Sequence, residues 1–167
     1  MGPERRTALL EAYVAGPATI RASVEGVSEE ELDARPADGG WTPREVVHHT
    51  ADSEMTSAIR LRRLIAEDDP LIVAYDGDEF ARRLHYADRP IEPALDAISA
   101  ARATTAQILA GLTEAEWRRT GRHSEDGGYG VERWLEIYAT HCHEHAEQIR
   151  SARAEAATTR RDRQRLV

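Results

Sequence analysis

The chain has 167 residues, of which 30 are acidic and 22 basic, giving a formal net charge of -8. That length suits one domain with an ordinary core, and the negative balance repels a phosphate backbone and so argues against nucleic acid as the main partner. The single cysteine, Cys142, cannot form an internal disulfide. No run approaches the roughly 18 apolar residues of a membrane span, and "MGPERRTALLEAYVAG" lacks the apolar region of a signal peptide, so a soluble, cytoplasmic protein is expected.

Alanine, arginine, leucine and glutamate dominate, while the β-branched and aromatic clusters that mark strands are scarce, which predicts an all-α fold. The first helical stretch spans about Glu4 to Val27 and is interrupted by "AGPAT", where Gly16 can end one segment and Pro17 open the next, giving a kinked pair or two short helices. The loop "ARPADGGWTP" leads into the clearest helix start, with Thr42 as N-cap, Pro43 at the first helical position and Glu45 completing a capping box. That helix is expected to run to Glu67, where "EDDP" stops it.

A shorter segment from Asp78 to His85 precedes a long helix over Glu92 to Leu112, and Thr113 to Glu116 supplies a second capping box for a turn around Trp117. The glycine density of "TGRHSEDGGYG", Thr120 to Gly130, marks a hairpin or loop. A final helix follows from Val131 to about Ala156. Three or four long helices with modest connections predict an up-down bundle over residues 1–156, with the basic tail 157–167 expected to fray.

The stretch "YATHCHEHAEQIR", Tyr138 to Arg150, carries three histidines. Residues three or four apart share a helix face, so His141 and His145 can converge on one ion while His143 points elsewhere. At about 100° per residue, Val131, Leu135, Tyr138, Cys142 and Ile149 fall on one apolar face. His145 lies within that face and His141 with Trp134 at its edge, whereas His143, Glu144 and Glu147 project outwards as solvated surface.

Further ligands must come from His48, His49, His85 or His123. On the second long helix a polar stripe holds His49, Asp52, Ser53, Thr56 and Arg60, with His48 nearer Met55 and Ile59. Periodicity leaves open whether that stripe faces solvent or a polar pocket, and whether His48 or His49 is the ligand. Cys142 reads as a packed small residue, and Trp41 and Trp134 as core anchors.

The stretches "GGWTPREVVHHTADSEMTSAIRLRRLIAEDDPLIVAYD" and "LEIYATHCHEHAEQI" resemble the DinB/YfiT-like metalloenzyme superfamily, and within it the branch of metal-dependent hydrolases and bacillithiol S-transferases. The similarity runs from about Leu9 to Ala152. It implies a four-helix bundle, often dimeric, that binds one divalent metal through three histidines, here His49, His141 and His145. Zinc is the expected ion, with nickel as the alternative.

Thr140 and Glu144 depart from the pattern around the last pair, which affects the shape of the pocket. The resemblance further implies a thiol S-transferase using a low-molecular-weight thiol and an electrophilic small molecule, a hydrolase using activated water, or a dimeric binding protein without turnover. Asp52 is expected to orient an imidazole, and Arg60 to anchor a carboxylate of the thiol.

Overall fold

The computed structural model describes residues 1–125 and 127–165. Four long helices form a bundle: α1 (Pro3–Ser23), α3 (Pro43–Ala66), α5 (Glu92–Ala110) and α7 (Val131–Arg165). Short elements join them: α2 (Glu29–Leu32), β1 (Leu71–Ile72), α4 (Gly77–Arg83), a 3₁₀ turn at Tyr86–Asp88, α6 (Glu114–Trp117), and the hairpin β2 (Thr120–His123) and β3 (Gly127–Gly130). The hairpin expected between Thr120 and Gly130 is present, with residue 126 outside the described residues. β1 adds a parallel strand to its edge, pairing Leu71 with Arg122.

Helix starts follow the caps. At α3 the Thr42 side chain accepts from Glu45 N and Glu45 accepts from Thr42 N, and Thr113 and Glu116 repeat this at α6. Ser28 and Glu31 form a third capping box, at the four-residue α2, which the sequence reading did not assign.

Two expectations are corrected. α1 is one helix through Gly16 and Pro17, not two segments. Proline removes the donor that would serve the carbonyl four residues earlier, and that carbonyl, on Tyr13, instead accepts from Arg102 Nη1 at 2.5 Å. α7 continues past Ala156 to Arg165, so the tail expected to fray is helical over 157–165. The rest of that expectation, 166–167, lies outside the described residues.

Each of α1 and α3 packs against both α5 and α7. Two apolar clusters fill the bundle, one around Ile20, Val46, Val47, Leu95, Ile98 and Ile149, the other around Tyr13, Leu61, Leu64, Leu109, Trp134 and Leu135. Chain order through these clusters is the same in α1 and α7 and opposite in α3 and α5. The bundle therefore winds up-down-down-up, and the connection over β1 and α4 carries the chain back between two helices of the same direction. Between the clusters lies a polar layer of Glu54 and Arg102, with Gly16 on α1 and His141 on α7 at the same level.

Candidate metal centre

α3 and α7 pack side by side and bring His49, His141 and His145 together, each offering a ring nitrogen within 4.8 Å of the others. The i,i+4 spacing on α7 sets His145 Nε2 3.2 Å from His141 Nε2. The ring of His49 meets His145 edge-on at 4.9 Å and His141 at 5.9 Å between centroids. All three side chains are half-buried. Trp41 covers His49 at 4.4 Å and donates through Nε1 to Asp78 Oδ1 at 3.0 Å, tying the start of α4 to the rim.

Hydrogen bonds define the tautomers. His141 Nδ1 lies 3.2 Å from Glu54 Oε1, and His145 Nδ1 lies 2.9 Å from Gln148 Oε1. Both oxygens accept, so each Nδ1 carries the hydrogen and each Nε2 presents a lone pair. Burial, reinforced by the neighbouring histidines, lowers His49 to about 3 and His145 to about 4. Neutral imidazoles are the protonation state a metal requires.

Glu54 is fully buried and the least expected member of the site. Burial alone would raise its carboxyl, but the hydrogen bond from His141 and the Arg102 guanidinium outweigh that and hold it below the usual range. Sequence reasoning passed over it, because the partner that makes a buried carboxylate tolerable lies on α5.

The donor set fits a divalent cation. His141 Nε2 and His145 Nε2 stand 3.2 Å apart while each ring's Nδ1 is engaged by an acceptor on its far side, so the two Nε2 atoms face one shared position, with Ser53 Oγ 3.3 Å from His141 Nε2. His49 Nδ1 is also buried without a hydrogen-bond partner. Three imidazoles with one side open to a cleft is the pattern of a catalytic rather than a structural metal site.

The cleft, about 310 Å³, is lined by His49, Ser53, Arg60, Tyr75, Tyr138 and His141 among others. The polar stripe of α3 thus faces a pocket at His49, Ser53 and Arg60. Arg60 Nη2 donates to Val73 O at 2.7 Å, its guanidinium lies 5.7 Å from the Tyr75 ring centroid, and its Nε is buried without a partner.

The structure sends the other candidates elsewhere. Asp52 does not hold an imidazole but accepts from Tyr86 Oη at 2.5 Å. His48, only 2% exposed, is buried beside Tyr86 and bonds Arg89 O at 3.1 Å. His143 is not solvated surface, since its Nε2 reaches Ala12 O on α1 at 2.9 Å. His123 lines the cleft, whereas His85 is exposed in a left-handed turn. Cys142 is fully buried with Sγ 3.6 Å from Glu54 Oε1, and burial raises its thiol far above the usual value. Trp134 is a core anchor, donating to Ser57 O.

Fold and site together define an α-helical bundle protein with a preformed three-histidine metal-binding geometry. The chain belongs to the DinB superfamily, whose family model matches residues 12–149. It is 36% identical over 135 residues to a protein of Oceanobacillus iheyensis named as a proposed metal-dependent hydrolase, covering 81% of this chain and 78% of that one. A Geobacillus kaustophilus protein with the same kind of name is 33% identical over 138 residues, covering 82% and 78%.

The solved structure of YfiT from Bacillus subtilis, described as a probable metal-dependent hydrolase with an unusual four-helix bundle topology, superposes with a TM-score of 0.88 at 26% identity. The match covers 94% of this chain and 90% of YfiT.

Proposed function

We propose that the protein is a metal-dependent enzyme of the thiol S-transferase kind, joining a bacillithiol-like low-molecular-weight thiol to an electrophilic small molecule. The observation that carries this reading is the convergence of three imidazoles, two of which, His49 and His141, line the cleft that also holds Arg60. His49, His141 and His145 would hold the ion, zinc by preference with nickel as the alternative, since imidazole suits both. When bound, a divalent ion supplies the positive charge that makes a thiol acidic near neutral pH.

The chain's own residues do the rest. Glu54 and Gln148 fix the ring planes of His141 and His145. Arg60 has no carboxylate partner among the described residues, so its guanidinium is available to bind a carboxylate of the thiol and set its orientation. Tyr75 and Tyr138 form aromatic walls that screen the site from water.

Hydrolysis of a small molecule by activated water is the second reading, favoured by the names of the relatives from Oceanobacillus and Geobacillus. The zinc-loaded protein separates the two when electrophile loss is followed with and without added thiol. The transferase reading expects turnover only with thiol, and thiol-independent turnover contradicts it. In Arg60→Gln, KM for a carboxylate-bearing thiol should rise by about ten-fold or more with kcat little changed, as expected for a lost charged hydrogen bond. A thiol without a carboxylate should show no such change.

A further inference from the structure

The polar layer contains a cation that does not line the cleft. Arg102, at the middle of α5 and 1% exposed, is absent from the cleft wall, yet every nitrogen of its guanidinium donates. Nε and Nη2 donate to Glu54 Oε2 and Oε1 at 2.9 and 2.7 Å, Nη2 also to Tyr138 O at 2.7 Å, and Nη1 to Tyr13 O at 2.5 Å. Its carbon centre lies 4.2 Å from the Tyr13 ring centroid. Two residues of α1 admit it: Pro17 leaves the Tyr13 carbonyl without a helical donor, and a Cβ on Gly16 would fall 2.3 Å from Arg102 Nη1.

Well-packed apolar residues often replace a buried ion pair at no loss of stability. Stability alone therefore does not account for Glu54 and Arg102, and what the pair touches does. Held at both oxygens by Arg102, Glu54 is kept as a carboxylate that can only accept, and Oε1 faces His141 Nδ1 at 3.2 Å. His141 must then carry its hydrogen on Nδ1, leaving the Nε2 lone pair for the centre.

We propose that Arg102 is a positioning residue of the metal centre. Acting through Glu54, it fixes the tautomer and ring plane of His141 so that Nε2 remains a ligand. The proposal rests on the reading of the three histidines as a metal site. It links three helices to one ligand: Gly16 and Pro17 on α1 seat Arg102 on α5, and Arg102 holds Glu54 on α3 beneath His141.

Two measurements on the whole protein test it: the His141 tautomer in the metal-free state, from long-range proton–nitrogen NMR of histidine-labelled protein, and zinc affinity by competition with a chromogenic chelator. The variants are Arg102→Lys, which keeps a cation beside Glu54, and the double variant Arg102→Met with Glu54→Leu, which removes both charges and leaves neither orphaned. Wild type should show His141 with Nδ1 protonated and Nε2 bare. The double variant should mix the tautomers and bind zinc about ten- to a hundred-fold more weakly, with Arg102→Lys closer to wild type.

A wild type with the hydrogen on Nε2 overturns the proposal, as does unchanged zinc affinity in the double variant. Weaker binding with an unchanged tautomer also overturns it, because that is the signature of loosened packing. If the double variant does not fold, the wild-type tautomer and Arg102→Lys decide: zinc bound at least as weakly in Arg102→Lys as in a His141→Ala control contradicts rescue by charge. A wild type that binds no zinc sinks the metal reading itself, while the tautomer in the same sample still reports on Arg102 and Glu54.

Discussion

At the scale of single residues, burial holds two of the three imidazoles, His49 and His145, in the neutral form, and this has a consequence for stability. His49 and His145 are lowered from 6.5 to about 3 and about 4 in the folded protein. As pH falls from about 6.5 towards 4, the unfolded chain takes up protons at these positions that the native state refuses, so stability drops through that window. Urea unfolding of metal-free protein should give a lower stability near pH 5 than at pH 7, and His49→Ala should flatten the difference. An equally steep dependence in His49→Ala would show that other groups carry it.

The convergence of His141 and His145 on α7 was legible in their spacing, because the i,i+4 rule needs only local geometry. Assigning His49 over His48 took the resemblance, since both lie on α3 and only the packing of α4 and the 3₁₀ turn separates their surroundings. Glu54 was not legible, because its role depends on Arg102, 48 residues away. Asp52, one turn from His49, looked better placed but is taken by Tyr86, which arrives from the connection after α4.

At the scale of elements, the caps at Thr42 and Thr113 were readable because sequence and hydrogen bonding coincide within one turn. Ser28 with Glu31 carries the same local signal before the four-residue α2, unassigned from the sequence. β1 was not, since two residues have no periodicity and the strand exists only through pairing with β2. α1 stays one helix, so of the two forms expected the split one is ruled out. Gly16 and Pro17 are local helix breakers, but the missing hydrogen bond is supplied across the bundle.

That gives Gly16→Ala an unusual sign. In an exposed helix interior the change stabilises by up to about 1 kcal/mol, whereas here the new methyl would meet Arg102 Nη1 at 2.3 Å and Cys142 Cβ at 2.8 Å. Overpacking of this kind costs about 1–3 kcal/mol. Urea unfolding of Gly16→Ala should show a loss of that order, and a gain would mean that Arg102 does not need the space.

At the scale of the whole molecule, the up-down-down-up winding sets α3 beside α7 at the level where His49 meets His141 and His145. Apolar clusters above and below lock that register, so the site is formed by the same packing that holds the bundle together. Among the described residues no helix is long and apolar enough to cross a membrane.

On the proposed function, these three histidines hold one divalent ion. Metal content by elemental mass spectrometry, on protein purified without a nickel column and reloaded with zinc, tests it most directly. Wild type and His143→Ala should retain about one equivalent, while His49→Ala, His141→Ala and His145→Ala should each lose it. Zinc retained in the three variants, or none in the reloaded wild type, would contradict the account.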